Sequence, residues 1–180
     1  MHLIVGLGNP GKEYEQTRHN AGFLAIEKLK KKLGYKGDLK EEKKFSAKIV
    51  RIGDLLLSTP TTFMNESGRS VRKLLEFYKM SVADLVVIHD DLDIRLGEYK
   101  VQQGVGPKVH NGIASVERYL KTDDFLRVRL GVDGRVAGGK YGSGADYVLS
   151  KMTKEEVSKL EMAIELSLGD LAEAFGLEFE

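Results

Sequence analysis

Leu3, Ile4 and Val5 form an unbroken apolar run that stops at the glycines of GLGNPG, residues 6–11. A short continuous run bounded by turn residues reads as a buried strand. The polar stretch KEYEQTRHN follows, and helical periodicity begins only at Ala21. From there Phe23, Ile26 and Leu33, with Leu29 nearby, mark one face. Lysines fill the remainder, and Gly34 stands where a helix C′ residue belongs. KFSAKIVRIGDLLLSTP reads as two strands joined tightly at Gly53-Asp54. Val71, Leu74, Leu75 and Tyr78 give FMNESGRSVRKLLEFYKM a helical stripe. ADLVVIHDD carries consecutive apolar residues, as a strand covered on both faces does. GEYKVQQ and FLRVRLGV alternate more, the pattern of strands near a sheet edge or a ligand face, and ADYVLS is expected as a last short strand.

The C-terminal pattern is the clearest. Thr153 and Glu156 make a capping box, after which Val157, Leu160, Ile164, Leu168, Leu171 and Phe175 recur at helical spacing. Gly169 inside that helix costs about 1 kcal/mol relative to Ala, so a break is expected there. Residues 133–144, DGRVAGGKYGSG, read as a mobile surface loop. No internal repeat and no linker is visible. The sum is an α/β fold: a single domain over residues 1–180, with a twisted mixed β-sheet sandwiched between α-helices.

A length of 180 residues suits one such domain and is short for two. No apolar stretch approaches the ~18–20 residues of a membrane span. The N-terminus lacks the basic region and long apolar core of a secretion signal, so the cytoplasm is the expected location. The absence of Cys excludes disulfides, thiolate metal sites and a Cys nucleophile. Net charge is only +1, but residues 18–51 hold 11 Lys/Arg against 4 Asp/Glu, and residues 151–180 hold 3 against 8. A basic surface can hold a polyanion through phosphate contacts and counterion release. It can equally be a solvated helix face, so the charge pattern permits an RNA ligand without arguing for one.

GLGNPG satisfies the G-x-G-x-x-G of dinucleotide-binding turns, but that reading also needs an immediate helix and an acid ending the next strand. Helical periodicity starts ten residues after Gly11, and Glu27 falls inside the helical pattern. What remains is a turn that presents Asn9 rigidly, through Pro10 and Gly11, at a strand's C-terminal end, where open α/β sheets place ligands. Other polar candidates sit at similar places. His19 precedes a helix in a polar turn and is expected to be accessible. His89 and Asp90 end an apolar strand. Asn65 lies beside Met64 at a helix start, and His110-Asn111 follow a Gly/Pro loop, whereas His2 reads as structural.

One group with a pKa near neutrality, one carboxylate and several amides fit hydrolysis by activated water. The imidazole takes the proton, the carboxylate fixes its tautomer, and amides stabilise a tetrahedral oxyanion, a contact worth ~3–4 kcal/mol. A paired imidazole and carboxylate would stand ~2.6–3.2 Å apart. With no G-x-S-x-G elbow and no Cys, water is the expected nucleophile. Plainer readings exist for each residue. His19 can be a surface or capping residue, Asp90, Asp91 and Asp93 turn acids, and Asn65 and Asn111 helix caps. HDDLD is a poor metal signal, because consecutive residues rarely converge on one ion.

Taken together, VGLGNPGKEYEQTRHNAGF, TPTTFMNESGRSV, HDDLDIRLGEYKV, HNGIASV and FLRVRLGVDGR resemble the bacterial-type peptidyl-tRNA hydrolases, in the family's order and over most of the chain. The resemblance implies a monomeric, metal-free esterase without cofactors. It would cleave the ester between a peptide and the 3′ ribose of tRNA, with peptidyl-tRNA as its partner and no membrane involved. His19 then matches the catalytic base, Asp90 its carboxylate partner and Asn9 a catalytic amide. Tyr14, Met64, Asn65, His110 and Asn111 match substrate-binding positions, and Lys100 and Arg129 match residues that hold tRNA phosphate. Arg129 is also explicable as a surface salt-bridge residue. Where the family usually has two glycines before His-Asn-Gly, this chain has Lys108 and Val109. Val does not readily adopt the conformations open to Gly. A non-catalytic RNA-binding relative is therefore the alternative, with a nucleotide-dependent oxidoreductase third.

Overall fold

The computed structural model describes residues 1–179. Seven strands form one sheet: β1 (His2–Gly6), β2 (Lys40–Glu42), β3 (Ala47–Ile52), β4 (Leu55–Pro60), β5 (Leu85–Arg95), β6 (Tyr99–Gln103) and β7 (Leu126–Asp133), in the order β2-β3-β4-β1-β5-β7-β6. The middle strands β4, β1, β5 and β7 run parallel, and the outer strands β3, β2 and β6 are antiparallel to their neighbours. Five helices flank the sheet: α1 (Ala21–Lys32), α2 (Ser67–Tyr78), α3 (Asn111–Leu120), α4 (Gly144–Leu149) and α5 (Lys154–Phe175). The mixed sheet between helices is the expected α/β architecture.

Strand periodicity of two divides the core. Ile4 and Ile88 face α1 and α5, where Ile26, Leu29, Ile164 and Leu168 cover them. Leu3, Val5 and Val87 face α2 and α3, against Val71, Leu74 and Val116. Chain order reverses about β1, because β4 lies on one side of it and β5 on the other. The carboxyl ends of these strands form the kind of crevice in which open α/β sheets bind ligands.

Two glycines shape that crevice. A Cβ on Gly6 would collide with the Gly22 carbonyl, and one on Gly22 with the backbone of Leu7 and Ile88. Only a pair of glycines lets α1 start directly beside the end of β1. Gly8 is likewise covered by the Phe23 ring. Gly6 and Gly8 of GLGNPG thus accommodate the start of the protein's own α1, at Gly22 and Phe23.

Several local expectations are corrected. ADYVLS is α4, not a strand. Ser143 and Asp146 form a capping box at its start, and the Arg18 guanidinium takes carbonyls at its end. α5 runs unbroken through Gly169 to Phe175 and stops at Gly176, which has φ 61°. Burial of Leu160, Ile164, Leu168 and Leu171 outweighs the single glycine. β2 is three polar residues, invisible to a hydrophobicity pattern and defined by pairing with β3. β5 does not end at Asp90 but continues to Arg95. FLRVRLGV lies one strand in from the edge and is buried, Arg127 and Arg129 included. Neither asparagine caps its helix: α3 is capped by the His110 side chain, and α2 has Glu66 at its N-cap with no side-chain bond. The stretch between β7 and α4 is exposed and free of regular structure. It is tied to α4 where Tyr147 Oη accepts the Gly134 N–H at 3.1 Å.

Gly169 is exposed, and a Cβ there meets nothing within 4 Å. Replacing it with Ala is expected to stabilise the protein by about 0.5–1 kcal/mol, raising Tm by roughly 1–4 °C in thermal unfolding.

Candidate active site

His19 occupies a 3-10 turn, Arg18–Asn20, immediately ahead of α1. It is only 8% exposed, less accessible than expected, yet it borders the crevice. Its Nδ1 stands 2.9 and 3.0 Å from the two carboxylate oxygens of Asp90, within the range expected for a pair. An ionised carboxylate only accepts, so Nδ1 carries the proton and Nε2 keeps a free lone pair. Asp90 is 2% exposed, and its Oδ1 accepts a second bond from His110 Nε2 at 2.8 Å. The other nitrogen of His110, Nδ1, accepts the N–H groups of Gly112 and Ile113 at 3.1 and 3.2 Å. The cap on α3 therefore fixes His110 as the Nε2–H tautomer, which donates to Asp90.

These contacts set the proton affinities. Burial disfavours the charged form of Asp90, but the imidazoles of His110 and His19, by charge and hydrogen bonding, hold its carboxyl well below the usual carboxylate range. Burial also pulls His19 down, yet the charge and hydrogen bond of Asp90 prevail and raise it above 6.5. His89, the residue before Asp90, is fully buried. Its Nδ1–H donates to the Asp90 carbonyl at 2.7 Å, its ring packs 5.1 Å from that of His110, and its Nε2 has no partner. Burial, with His110 nearby, pushes His89 down to about 3.

Asn9 is held by a residue not singled out in the sequence. Asn20 Oδ1 accepts the Asn9 N–H at 2.9 Å, and Asn20 Nδ2 donates to the Asn9 carbonyl at 3.0 Å. Asn9 Oδ1 in turn accepts the Met64 N–H at 2.8 Å, which leaves Nδ2 as the donor facing the crevice. The only sequence signal for Asn20 was its place beside His19 in a polar run. Arg18 was missed in the same way. Its Nη1 donates to the carbonyls of Tyr147 and Ser150 at 3.3 and 3.2 Å, and Nη2 pairs with Glu156. Its guanidinium also stacks 4.0 Å from the Tyr147 ring. One residue thus ties the His19 turn to both α4 and the start of α5.

The cleft encloses about 530 Å³, within the ~300–1,000 Å³ of small-molecule sites. His19, Asp90 and Asn9 meet there with Met64, Asn65, His110 and Asn111. The side-chain amides of Asn65 and Asn111 make no hydrogen bond among the described residues. Leu92 and the α4 residues Ala145, Val148 and Leu149 complete the walls, and sequence reasoning had not placed α4 there. Tyr14 does not line the cleft; its ring meets Phe63 edge-on at 6.4 Å. Lys100 is exposed on β6, opposite Arg129 in register and away from the cleft. Arg129 is buried rather than at the surface, with Nε 2.8 Å from Asp91 Oδ2 and Nη1 2.6 Å from Gln102 Oε1.

Ligand atoms of His19, Asp90 and His110 lie within 4.8 Å of one another, close enough to suggest a metal site. The donor chemistry does not fit. To bind a cation through Nε2 while Nδ1 accepts backbone N–H groups, His110 would need both nitrogens unprotonated. Among the described residues no helix is long and apolar enough to cross a membrane.

A family model for peptidyl-tRNA hydrolase matches residues 3–177. The chain belongs to this family. It is 43% identical over 170 residues to a peptidyl-tRNA hydrolase of Neisseria meningitidis serogroup C, covering 92% of this chain and 86% of the relative. It is 44% identical over 168 residues to that of Bacillus cereus strain Q1, with 92% and 88% covered. A crystal structure of peptidyl-tRNA hydrolase from Acinetobacter baumannii superposes with a TM-score of 0.80 at 34% identity, covering 98% of this chain and 93% of that one. Membership makes the protein a hydrolase.

His89 also implies an acid sensitivity. Its folded pKa of about 3 lies below the ordinary 6.5, so between those values the unfolded chain binds the extra proton. Stability should fall by roughly 1.4 kcal/mol for each pH unit below 6.5. His19, raised rather than lowered, contributes no slope in that range. Denaturant titrations from pH 6.5 to 4.5 should show this slope in the native protein and a flatter one in His89→Leu.

Proposed function

We propose that this single-domain chain, acting as a cytoplasmic monomer, hydrolyses the ester joining a peptide, or an N-acylated amino acid, to the 3′ ribose of tRNA. The observation that carries this reading is the tautomer of His19. Both Asp90 oxygens face Nδ1, so the basic Nε2 is left beside a cleft bordered by three asparagine amides.

A water molecule bound to Nε2 gives up its proton as its oxygen attacks the ester carbonyl. The imidazolium that forms is stabilised by Asp90, itself steadied by His110 from the other side. Asn9 Nδ2, with the amides of Asn65 and Asn111, supplies hydrogen bonds to the tetrahedral oxyanion. Collapse expels the ribose 3′ oxygen, which takes the proton back from His19. Lys100 is the exposed cation offered to tRNA phosphate. Arg129 would join it only by leaving Asp91. A non-catalytic RNA-binding relative is the weaker reading, since Lys108 and Val109 leave the His19–Asp90–His110 chain of hydrogen bonds intact.

Release of tRNA from an N-acetyl-aminoacyl-tRNA measures the activity. His19→Ala should lower kcat/KM by about 10²–10⁴-fold, and full activity in that variant would refute the mechanism. Asp90→Asn should lower the rate and also move the acid limb of the kcat/KM profile. The native limb is expected above 6.5, because the charge and hydrogen bond of Asp90 raise His19. Without that charge only the burial effect remains, so the limb should shift to lower pH.

A further inference from the structure

Among the described residues eight large apolar side chains are exposed, and three of them, Phe63, Val109 and Leu149, line the cleft that holds His19. They come from three separate segments: the turn after β4, the loop before α3, and the end of α4. Val109 is the most exposed, at 86%. Nothing in its own fold covers it, yet it is not free to move away. The preceding N–H, of Lys108, donates to Asp93 Oδ2 at 3.0 Å. The following ring, of His110, is bonded to Asp90 on one side and to the start of α3 on the other. Arg127 holds the carbonyl of Gly106 in the same loop. A β-branched side chain between two anchors has few conformations to lose, so it presents apolar surface at little entropic cost.

We propose that Val109, together with Phe63 and Leu149, makes the cleft selective for peptides whose ester-bearing residue carries a large apolar side chain. The inference rests on the function proposed above. The reacting carbonyl has to lie between His19 and the asparagine amides. The side chain on the adjoining Cα begins two bonds from that carbonyl carbon. Val109 directly precedes His110 and stands two residues before Asn111, and the His110 ring lies 5.0 Å from that of His19. Val109 lines the same cleft as His19 and the three asparagines, so it borders the space into which that side chain must go. A volume of about 530 Å³ leaves room for contact without crowding, so the valine adds apolar surface to the substrate contact instead of excluding bulk. Lys108, exposed on the outer side of the loop, takes no part.

The test compares N-acetyl-leucine and N-acetyl-glycine esterified to the same tRNA, so that only the side chain differs. The native enzyme should show a higher kcat/KM for the leucyl ester. Val109→Thr keeps the branching and volume but replaces a methyl with a hydroxyl, and should lower the leucyl-to-glycyl ratio by about five- to tenfold, at the low end of what one apolar group contributes in a pocket. Val109→Ile should keep the ratio. Because the ratio is taken on one protein, general loss of activity cancels. Equal kcat/KM for the two esters in the native enzyme, or a ratio unchanged in Val109→Thr, overturns the assignment of Val109. Hydrolysis of neither ester by the native enzyme instead refutes the functional reading on which it rests.

Discussion

Asp90 is ionised within a sheet strand and almost wholly removed from water. A buried carboxylate is tolerable only when its lone pairs are taken up, because an unpaired one would cost several kcal/mol. Two imidazoles take them up here, and each is fixed from a different direction. His19 arrives on the turn before α1, while His110 is locked by the amides at the start of α3. The carboxylate thus joins three segments of the chain and dictates which nitrogen of each ring carries a proton. Removing either ring would leave Asp90 under-compensated, so the constraint that stabilises the buried charge is the one that exposes a base.

The close approach of β1 and α1 is what brings His19 within reach. Gly6 and Gly22 allow the helix to begin against the strand, and Asn20, at the junction, clamps both backbone polar groups of Asn9. Asn9 then accepts from Met64 at the other side of the crevice. A pattern of glycines that looks like a nucleotide-binding turn serves a different end, a tight corner that orients an amide.

Much of this was legible from residue order. Long periodic segments such as α1, α2 and α5, and the apolar runs of β1 and β5, were readable because burial dictates their pattern. The His19–Asp90 pairing was expected from residue type and from family resemblance. Features that depend on distant partners were not legible. α4 is a short segment whose helical state is settled by Ser143 and Asp146 at one end and Arg18 at the other. Arg129 reads as a surface residue on an alternating strand, and only the pairing with β6 and Asp91 buries it. Asn20 and His110 act through hydrogen bonds whose partners the sequence does not reveal. Whether His110 or Asn111 caps α3 is a matter of which side chain turns back onto the backbone.

The reach of Arg18 has a bearing on how the protein is made. Its partners lie 129 to 138 residues further along, at Tyr147, Ser150 and Glu156, and contacts of such span are slow to establish because a long loop must close first. A chain growing from its N-terminus contains both His19 and Asp90 well before it contains α4, the helix that forms the far wall of the cleft. Until then the His19 cleft stands open on the side that α4 will cover. The hydrogen bonds joining His19, Asp90 and His110 need nothing beyond the start of α3, so the wall of the cleft is its last part to be made.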